Sequence, residues 1–476
     1  MLEKQIKIIK EATKNSPDIT FRKIKINKKT LALISNNTLT NTDNINDFIL
    51  KPLTNFNKKI SKKNIKNYLQ NKIPENSIIN IKNKQDLLTK LASGFTIILF
   101  EKEKPFAIET KQNLSRSISE PLTEQTISGP KDAFCEDYKT NIGLVKKRLK
   151  TNNLILKEYE IGKETKTQVG ILYMDNIIEK SLLNEIENRI KKINIDGIFD
   201  STYIREIIED NHSTFPTIET SERPDTIAMN LLDGKITIAV DGSPYFLIIP
   251  TFFTDLFHSS EDNYQNYKNV TFTRTIRYLA FFLAILLPAF YIAIITYNHE
   301  TIPATLLINF AAQREGVPFP AIIEALGLTL VFEILRESDI RMPHLSGTAI
   351  SILGAIVLGD AAVSAGIVSP IMVIVIALSA ISSLMFSHIG MVNAIRIWRI
   401  IFMLGATLAG IIGVFLAGFL LIINLSSLSS IKKPYLYPLI PLNKKFLLKS
   451  IGKSSIKKSN KRMPILTNKN YTRSKL

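Results

Sequence analysis

The sequence predicts an α/β soluble N-terminal half followed by an α-helical polytopic membrane domain of about five spans. Residues 1 to about 270 are rich in Lys, Asn, Ile and Glu, whereas residues 278 to 424 consist mainly of Ala, Ile, Leu, Val, Gly and Phe. The stretch "ETSERPDTIAMNLLDGKITIAVDGSPYFLIIPTFF", residues 219–253, has the pattern of a helix, a Gly, a strand, a tight Asp-Gly turn and a second strand. The two halves are therefore suited to different solvents, water and lipid.

The soluble half contains a predicted internal repeat. "KQDLLTKLASGFTIILFEKEKPFAIET", residues 84–110, gives a helix, Gly94 and two β-rich runs joined by a charged turn. Residues 219–253 repeat this order around Gly234. We interpret the pattern as two related α/β subdomains, and chance similarity between two βα patterns is the alternative.

The predicted domain organisation has five parts. They are a polar N-terminal extension with helical segments at 1–83, a first α/β subdomain and linker at 84–130, a second α/β subdomain at 131–270, a transmembrane helical domain at 271–430 and a basic C-terminal tail at 431–476. We expect a linker between the subdomains because the sequence there is rich in Ser, Glu, Pro and Gly.

The membrane spans are predicted by length, because a span needs about 20 apolar residues. Five stretches satisfy this, the second only marginally because it contains two Glu residues: 278–297, 319–335, 346–366, 368–387 and 401–424. A shorter run, residues 301–312, is better interpreted as a re-entrant or interfacial helix.

The sequence leaves the side of the C-terminal tail open. The N-terminus lacks the features of a secretory signal, so we expect the soluble half to be cytoplasmic. The arginines that then satisfy the positive-inside rule are Arg274, Arg277, Arg336, Arg341, Arg396 and Arg399. Five spans would place the basic tail outside. Either the tail is translocated, or residues 301–312 cross fully, or "LAGIIGVFLAGFLLII" folds as a hairpin at its glycines.

Charge favours a lipid surface over nucleic acid as the partner. The formal net charge is +18, and no Asp or Glu follows Asp360. A basic tail beside apolar spans is typical of an anchor to anionic lipid. The single cysteine, Cys135, excludes an internal disulfide and a Cys-based metal cluster.

The third predicted span has features of a pore helix. Small residues recur at every fourth position, which lets helices approach closely: Gly347, Ser351, Ala355 and Gly359. Packing inside one bundle explains this series as well as packing around a symmetry axis does. Asp360 favours the second interpretation, since an ionisable group at membrane depth usually faces a cavity or a partner. The constriction that gates such a pore by dewetting would be formed by Ile356, Val357 and Leu358.

Two other sets of charged residues are candidate functional groups. Glu324 and Glu333 lie within the second predicted span, nine residues apart and close to opposite helix faces, so both cannot line one pore. Glu222, Arg223 and Asp225 lie at the start of a predicted helix in the soluble half. We expect these three to make contacts between subunits, although an acidic cluster of this kind could also bind a cation.

An enzyme is not predicted. The sequence contains no GxxxxGK[ST], GxGxxG or HExxH pattern and no Cys/His cluster, and its five His residues are dispersed. No cofactor and no metal are expected. A secondary transporter is the second serious class, but the membrane half shows no inverted repeat and five spans are few for alternating access.

The motifs resemble one known family. "GPKDAFCEDYKTNIGLVKKRLK", "IDGIFDSTYIREIIED", "VPFPAIIEALGLTLVFEILRESDIRMP", "GTAISILGAIVLGDAAVSAGIVSP" and "KKPYLYPLIP" closely resemble the A subunits of nutrient germinant receptors, the GerA family of spore-forming bacteria. The resemblance runs in order from about residue 84 to residue 441. A departure is "SLMFSHIGMVNAIRIWR", which has fewer aromatic residues and prolines than the family pattern.

The resemblance implies a multi-pass protein of the spore inner membrane with a cytoplasmic N-terminal domain. Its implied partners are an integral-membrane B subunit, which holds the nutrient, and a lipoprotein C subunit. It also implies a homo-oligomer, a pentamer, that forms a gated monovalent-cation channel and triggers germination. The alternative within the family is a SpoVAF-type protein that acts beside the channel for dipicolinic acid.

Overall fold

A computed structural model of the protein describes residues 2–26, 29–56, 61–70, 78–101, 103–112, 120–121, 123–210, 213–341, 359–455, 461–467 and 470–473. The chain divides into two compact units. We name Met1–Asp210, Ile218–Pro250 and Ile456–Leu476 the α/β unit, and Asn211–Thr217 and Thr251–Ser455 the helical unit.

The first subdomain of the α/β unit is an antiparallel sheet with short helices. Its strands are β1 (Ile19–Ile26), β2 (Lys29–Asn36), β3 (Ile78–Asn80), β4 (Phe95–Leu99) and β5 (Phe106–Glu109). Its helices are α1 (Leu2–Ala12), α2 (Thr42–Ile45), a π-helical turn (Asn46–Leu50), α3 (Lys51–Thr54), α4 (Lys62–Gln70) and α5 (Lys84–Leu91). The strand order is β1-β2-β4-β5-β3.

Both faces of this sheet are covered, which explains why its central strands are apolar without alternation. Side chains alternate between the faces of a strand. Leu31 and Leu33 of β2 therefore join the core on one face, and Ala32 and Ile34 join the core on the other. All four are buried.

The second subdomain has the same construction. Its strands are β6 (Leu154–Ile161), β7 (Thr167–Met174), β8 (Glu219–Ser221), β9 (Ile236–Val240) and β10 (Phe246–Ile249). Its helices are α6 (Tyr138–Arg148), α7 (Lys180–Lys191), α8 (Ser201–Ile208) and α9 (Pro224–Asp233). The strand order is β6-β7-β9-β10-β8, which is the order of the first sheet.

The predicted internal repeat is confirmed by this shared strand order. Gly94 follows α5 and Gly234 follows α9, and both have a positive φ, 81° and 98°. Glycine adopts this left-handed conformation without the steric cost that a side chain imposes, so it ends each helix and turns the chain into the next strand.

The prediction that residues 1–83 form a separate polar extension differs from the structure. Strands and helices from this segment belong to the first subdomain. Strand β2 pairs with β4, and β3 pairs with β5. The N-terminal segment looked polar because β1 is an edge strand whose sequence, ITFRKIKI, keeps several charged side chains in water.

The helical unit begins with two 3-10 turns, Phe253–Phe257 and Ser260–Asn263. Its helices are α10 (Tyr267–Thr296), α11 (Ala304–Arg314), α12 (Ala321–Arg341), α13 (Pro370–Ser383), α14 (Ile389–Ser427) and α15 (Lys444–Ile451). A 3-10 turn at His299–Thr301 follows α10, and a short hairpin of β11 (Ser429–Ser430) and β12 (Lys433–Pro434) follows α14. Residues 359–364 are also helical.

Of the described residues, two helices are long and apolar enough to cross a membrane, α10 and α14. Helix α10 covers the predicted span 278–297 except for its last residue, and the predicted span 401–424 lies within α14 but is interrupted at Ala409 and Gly410. The predicted span 368–387 corresponds to α13, which has 14 residues and is about 21 Å long, too short for a hydrocarbon core of about 30 Å. Most of the predicted span 346–366 lies outside the described residues. The count of five spans is therefore not confirmed.

Helix α14 is a helical hairpin rather than one straight helix. The backbone leaves helical geometry at Ala409 (φ −141°, ψ 20°) and Gly410 (φ 58°, ψ −138°). A Cβ atom built on Gly413 would lie 1.8 Å from the carbonyl oxygen of Gly405. Eight residues of a straight helix would separate these two glycines by about 12 Å. The chain therefore reverses, as the third of the open alternatives for the tail required.

The hairpin returns the chain to the end of the helical unit where α10 begins. At its tip, the side-chain oxygen of Asn298, just after α10, accepts a hydrogen bond from the Ile411 amide at 3.1 Å. After the second arm, the Phe253 amide donates to the carbonyl oxygen of Tyr435 at 3.0 Å. The segments before α10 and after α14 thus meet within the helical unit.

The last described residues of the chain pack on the second subdomain. Arg462 is buried, and its Nε donates to the carbonyl oxygen of Leu232 at 2.7 Å, at the end of α9. The Glu179 amide donates to the Leu466 carbonyl oxygen at 3.2 Å. The predicted tail, residues 431–476, is therefore divided between the two units.

We predict that Gly413→Ala destabilises the helical unit, because its Cβ would collide with the backbone of Gly405. Gly418→Ala is the matched control, since of the described atoms none lies within 4 Å of a Cβ at Gly418. Alanine gains about 1 kcal/mol of helix propensity at either site. Thermal unfolding of the purified chain in detergent should give a lower Tm for Gly413→Ala and an equal or higher Tm for Gly418→Ala. Equal Tm values for both variants would contradict the hairpin.

Candidate functional site

Arg223 joins the second subdomain to the linker that precedes it. Its side chain is fully buried, and its Nη2 is 3.0 Å from Asp225 Oδ2. The same guanidinium donates to the carbonyl oxygens of Glu124 at 3.1 Å and Pro130 at 2.7 Å, and to Thr126 Oγ1 at 3.1 Å. A planar fork with five N–H donors suits this set of acceptors.

Glu222 holds the same linker from the other side. Its Oε1 accepts hydrogen bonds from the Thr123 amide at 2.6 Å, the Thr123 hydroxyl at 2.8 Å and the Glu124 amide at 3.0 Å. These described contacts of Glu222, Arg223 and Asp225 are made within one chain. Contact between subunits through these residues stays a prediction.

The predicted pore residues lie mostly outside the described part of the chain. Those outside it are Gly347, Ser351, Ala355, Ile356, Val357 and Leu358. Gly359 and Asp360 lie in the helical segment 359–364. A Cβ on Gly359 would be 4.0 Å from Val373 of α13, so this glycine faces α13, whereas Asp360 is exposed.

Glu324 is buried at the N-terminus of α13. Its Oε2 accepts hydrogen bonds from the Ser369 amide at 2.8 Å and the Ser369 hydroxyl at 3.0 Å, and its Oε1 is 3.2 Å from Arg314 Nη2 of α11. The N-terminus of a helix favours a negative charge. A buried carboxylate paired with a guanidinium and capping a helix fixes α11, α12 and α13 to one another.

Glu333, the second acidic residue of α12, is held by α14. Its Oε1 is 2.9 Å from Arg396 Nε, and its Oε2 is 3.2 Å from Arg336. Glu324 and Glu333 therefore bind different helices, which agrees with their predicted positions on opposite faces. Each is an ion pair between elements of the helical unit.

Sequence reasoning missed the group at the centre of the helical unit. Pro288 lies inside α10 and has no N–H to donate to the carbonyl oxygen of Ala284, four residues earlier. That oxygen instead accepts hydrogen bonds from Ser379 Oγ of α13 at 2.7 Å and from Arg399 Nε of α14 at 2.8 Å. We name these four residues the Ala284 lock.

The positive-inside pattern predicts Arg399 at a membrane boundary, but the structure places this residue in the interior of the helical unit. Its side chain is 1% exposed and packs inside the helical unit. Its Nη2 also reaches the Ser379 carbonyl oxygen at 3.4 Å. The signal available in the sequence was Pro288 in an apolar helix, which always leaves one carbonyl without its main-chain donor.

A second polar network lies at the start of α10. Asp262 is buried and pairs with Arg274 at 2.8 Å and Arg277 at 3.0 Å. Burial alone would raise the pKa of Asp262, but these two arginines hold the pKa below its ordinary value. Nearby, His258 Nε2 is 2.8 Å from the Ser450 carbonyl oxygen of α15, and burial together with Arg274 lowers the pKa of His258 to about 4. Asp262 thus holds Arg274 and Arg277 together at one end of α10.

These features are those of a membrane-associated protein that carries a separate α/β unit. An α/β unit with two repeated sheets is followed by a helical unit that has two helices apolar enough to span a membrane and buried charges held between its helices. Fixed, paired charges among apolar helices are characteristic of functional membrane proteins.

The chain belongs to the Bacillus/Clostridium GerA spore germination protein family, whose sequence model matches residues 7–465. The family pattern therefore extends beyond residues 84–441 at both ends. The chain is 37% identical over 447 residues to "Spore germination protein KA" of Bacillus subtilis (strain 168), covering 93% of this chain and 82% of that one.

Other relatives include a protein of unassigned role and a solved domain. "Uncharacterized membrane protein YfkQ" of Bacillus subtilis (strain 168) is 38% identical over 378 residues, covering 79% of this chain and 74% of that one. The crystal structure of the N-terminal domain of the A subunit of the Bacillus megaterium spore germinant receptor GerK3 is 31% identical, with a TM-score of 0.42, and covers 53% of this chain and 96% of that chain.

We predict that Pro288→Ala rescues Arg399→Met. The single variant Arg399→Met leaves the Ala284 carbonyl with one donor fewer and should cost about 3 kcal/mol, as removing one member of a buried polar group does. Alanine at position 288 restores the main-chain donor, so the double variant should recover about half of the lost stability. Thermal unfolding of the four proteins in one detergent measures this coupling. Strictly additive effects would contradict the lock.

Proposed function

We propose that the chain is the A subunit of a nutrient germinant receptor and that copies of it assemble around an axis into a gated monovalent-cation channel. The proposal places it in the spore inner membrane as a multi-pass protein with the α/β unit in the cytoplasm. Its proposed partners are an integral-membrane B subunit that holds the nutrient and a lipoprotein C subunit. Membership of the GerA spore germination family supports this role.

The single observation that carries the channel proposal is the exposed carboxylate of Asp360. It lies on the helical segment 359–364, directly after Gly359, which faces α13. An ionised carboxylate on an apolar helical unit is costly against lipid and requires water or a polar partner. Around a symmetry axis, one Asp360 from each copy would form an acidic ring of the kind that selects cations.

The gate in this proposal is formed by Ile356, Val357 and Leu358, which precede Asp360 in the sequence. A ring of apolar side chains narrow enough to lose its water blocks ions until it widens. The α/β unit is proposed as the assembly and relay part. The linker of the α/β unit is held in position by Glu222, Arg223 and Asp225, and this position is proposed to be needed for subunit assembly.

We predict that Asp360→Asn lowers cation selectivity. The measurement is the ratio of potassium flux to chloride flux from proteoliposomes that contain the purified chain together with B and C subunits, with nutrient added. Asp360→Glu keeps the charge and should conduct as wild type does. Glu300→Gln removes an exposed acid from the turn after α10 and serves as the matched control.

We also predict that proteoliposomes with Val357→Ser leak potassium without nutrient, because a small polar residue keeps the constriction hydrated.

Two results would contradict the proposal. One is the absence of nutrient-dependent potassium flux in the complete complex. The other is flux with the same cation selectivity in wild type, Asp360→Asn and Glu300→Gln, which would remove Asp360 from the ion path.

A further inference from the structure

A basic and apolar surface follows the helical hairpin. We name residues 439–453, which include α15, the C-terminal anchor. Large apolar side chains in it are turned outward, with these exposed fractions: Leu439 44%, Ile440 49%, Leu442 59%, Leu448 71% and Ile451 38%. Five outward apolar residues within fifteen are an unusual concentration of exposed apolar surface, of the kind that marks a contact with a membrane or a protein.

The C-terminal anchor is fixed in one orientation against the start of α10. Phe446 and Ser450 are buried on the inner side of α15. The Lys453 amide donates to Thr271 Oγ1 at 3.1 Å, and the Lys453 ammonium group donates to the Asp262 carbonyl oxygen. His258 Nε2 also lies 2.8 Å from the Ser450 carbonyl oxygen, which adds a contact on the inner side of α15. Leu448 is therefore held facing outward.

The charged residues of the C-terminal anchor are all basic. The segment carries Lys444, Lys445, Lys449 and Lys453 and no acidic residue. Lys444 and Lys445 are exposed and lie one turn before Leu448. Lysine stems lie along apolar surface while the ammonium groups reach outward. This combination of an apolar ridge with flanking lysines is typical of a helix that lies in a membrane interface.

The position of the anchor also matches the level of a membrane surface. It packs beside the first turns of α10, where Lys268 is exposed and Arg274 and Arg277 are paired with Asp262. Beyond that level, α10 exposes large apolar side chains, Leu279 at 57% and Phe282 at 54%. The anchor thus packs beside the end of a candidate span that exposes large apolar side chains.

We propose that the C-terminal anchor binds anionic phospholipid, with Leu442, Leu448 and Ile451 at the acyl boundary and the lysines on headgroup phosphates. Lipid is favoured over a second copy of the chain as the occupant, because the chain has a net charge of +18 and the same lysines would meet a basic surface. The inference rests on membrane insertion of α10 and not on channel activity. It gives the receptor a contact that depends on the lipid composition of its membrane.

The test uses the full chain with an environment-sensitive fluorophore on Leu448→Cys in a Cys135→Ser background. The labelled protein is reconstituted in vesicles of phosphatidylcholine with and without phosphatidylglycerol, and brominated lipid serves as the quencher. We expect emission at shorter wavelength and strong quenching in phosphatidylglycerol vesicles. Substitution of Lys444, Lys445 and Lys449 by Gln should lower the headgroup affinity about a hundredfold and weaken the quenching. The control is the same label on Lys163→Cys, which is exposed in the α/β unit and gives the emission expected of a fluorophore in water.

Two outcomes would overturn the proposal. In the first, the label at position 448 behaves like the label at position 163 in every vesicle. In the second, its emission is shifted to shorter wavelength but does not change with phosphatidylglycerol or with the lysine substitutions. If that emission varies with protein density instead, another copy of the chain covers the anchor. Neither outcome would bear on potassium flux, so failure of this inference is distinguishable from failure of the proposed function.

Discussion

The carbonyl oxygen of Ala284 is the constraint on which the helical unit depends. Pro288 deprives it of its main-chain donor, and an unpaired carbonyl in a water-free interior costs several kcal/mol. Ser379 and Arg399 both bind this oxygen. Because they come from α13 and α14, one missing N–H in α10 fixes the position of two other helices.

The rest of the helical unit is tied by the same means. Glu324 joins α12 to α11 and to the N-terminus of α13, and Glu333 joins α12 to α14. In a membrane the hydrophobic effect does not hold helices together, so packing and polar contacts must do so. Any rearrangement of α10, α13 and α14 relative to one another has to carry the Ala284 lock as a rigid group or exchange its donors.

The sequence predicted what local patterns determine and missed what depends on contacts between distant segments. The repeat could be found because helix, Gly94 or Gly234, and paired strands are local signals. Strand β1 could not be predicted, since the sequence of an edge strand rich in Lys resembles a polar loop until its partner β2 is known. The reversal at Gly410 was one of three open alternatives because only the contact of Gly405 with Gly413 distinguishes a hairpin from a straight helix. The burial of Arg399 is not visible in the sequence, because its acceptors lie 115 and 20 residues away along the chain.

The most direct measurement of the lock is the distance between α10 and α14, by electron–electron double resonance in nanodiscs. Spin labels on Leu279 and Leu404, both exposed, in a Cys135→Ser background should give a single narrow distance distribution. The account predicts that Arg399→Met broadens it, whereas Arg396→Met, which removes a pairing with Glu333 in α12, leaves it narrow. An unchanged distribution in Arg399→Met would contradict the claim that the Ala284 carbonyl holds these helices together.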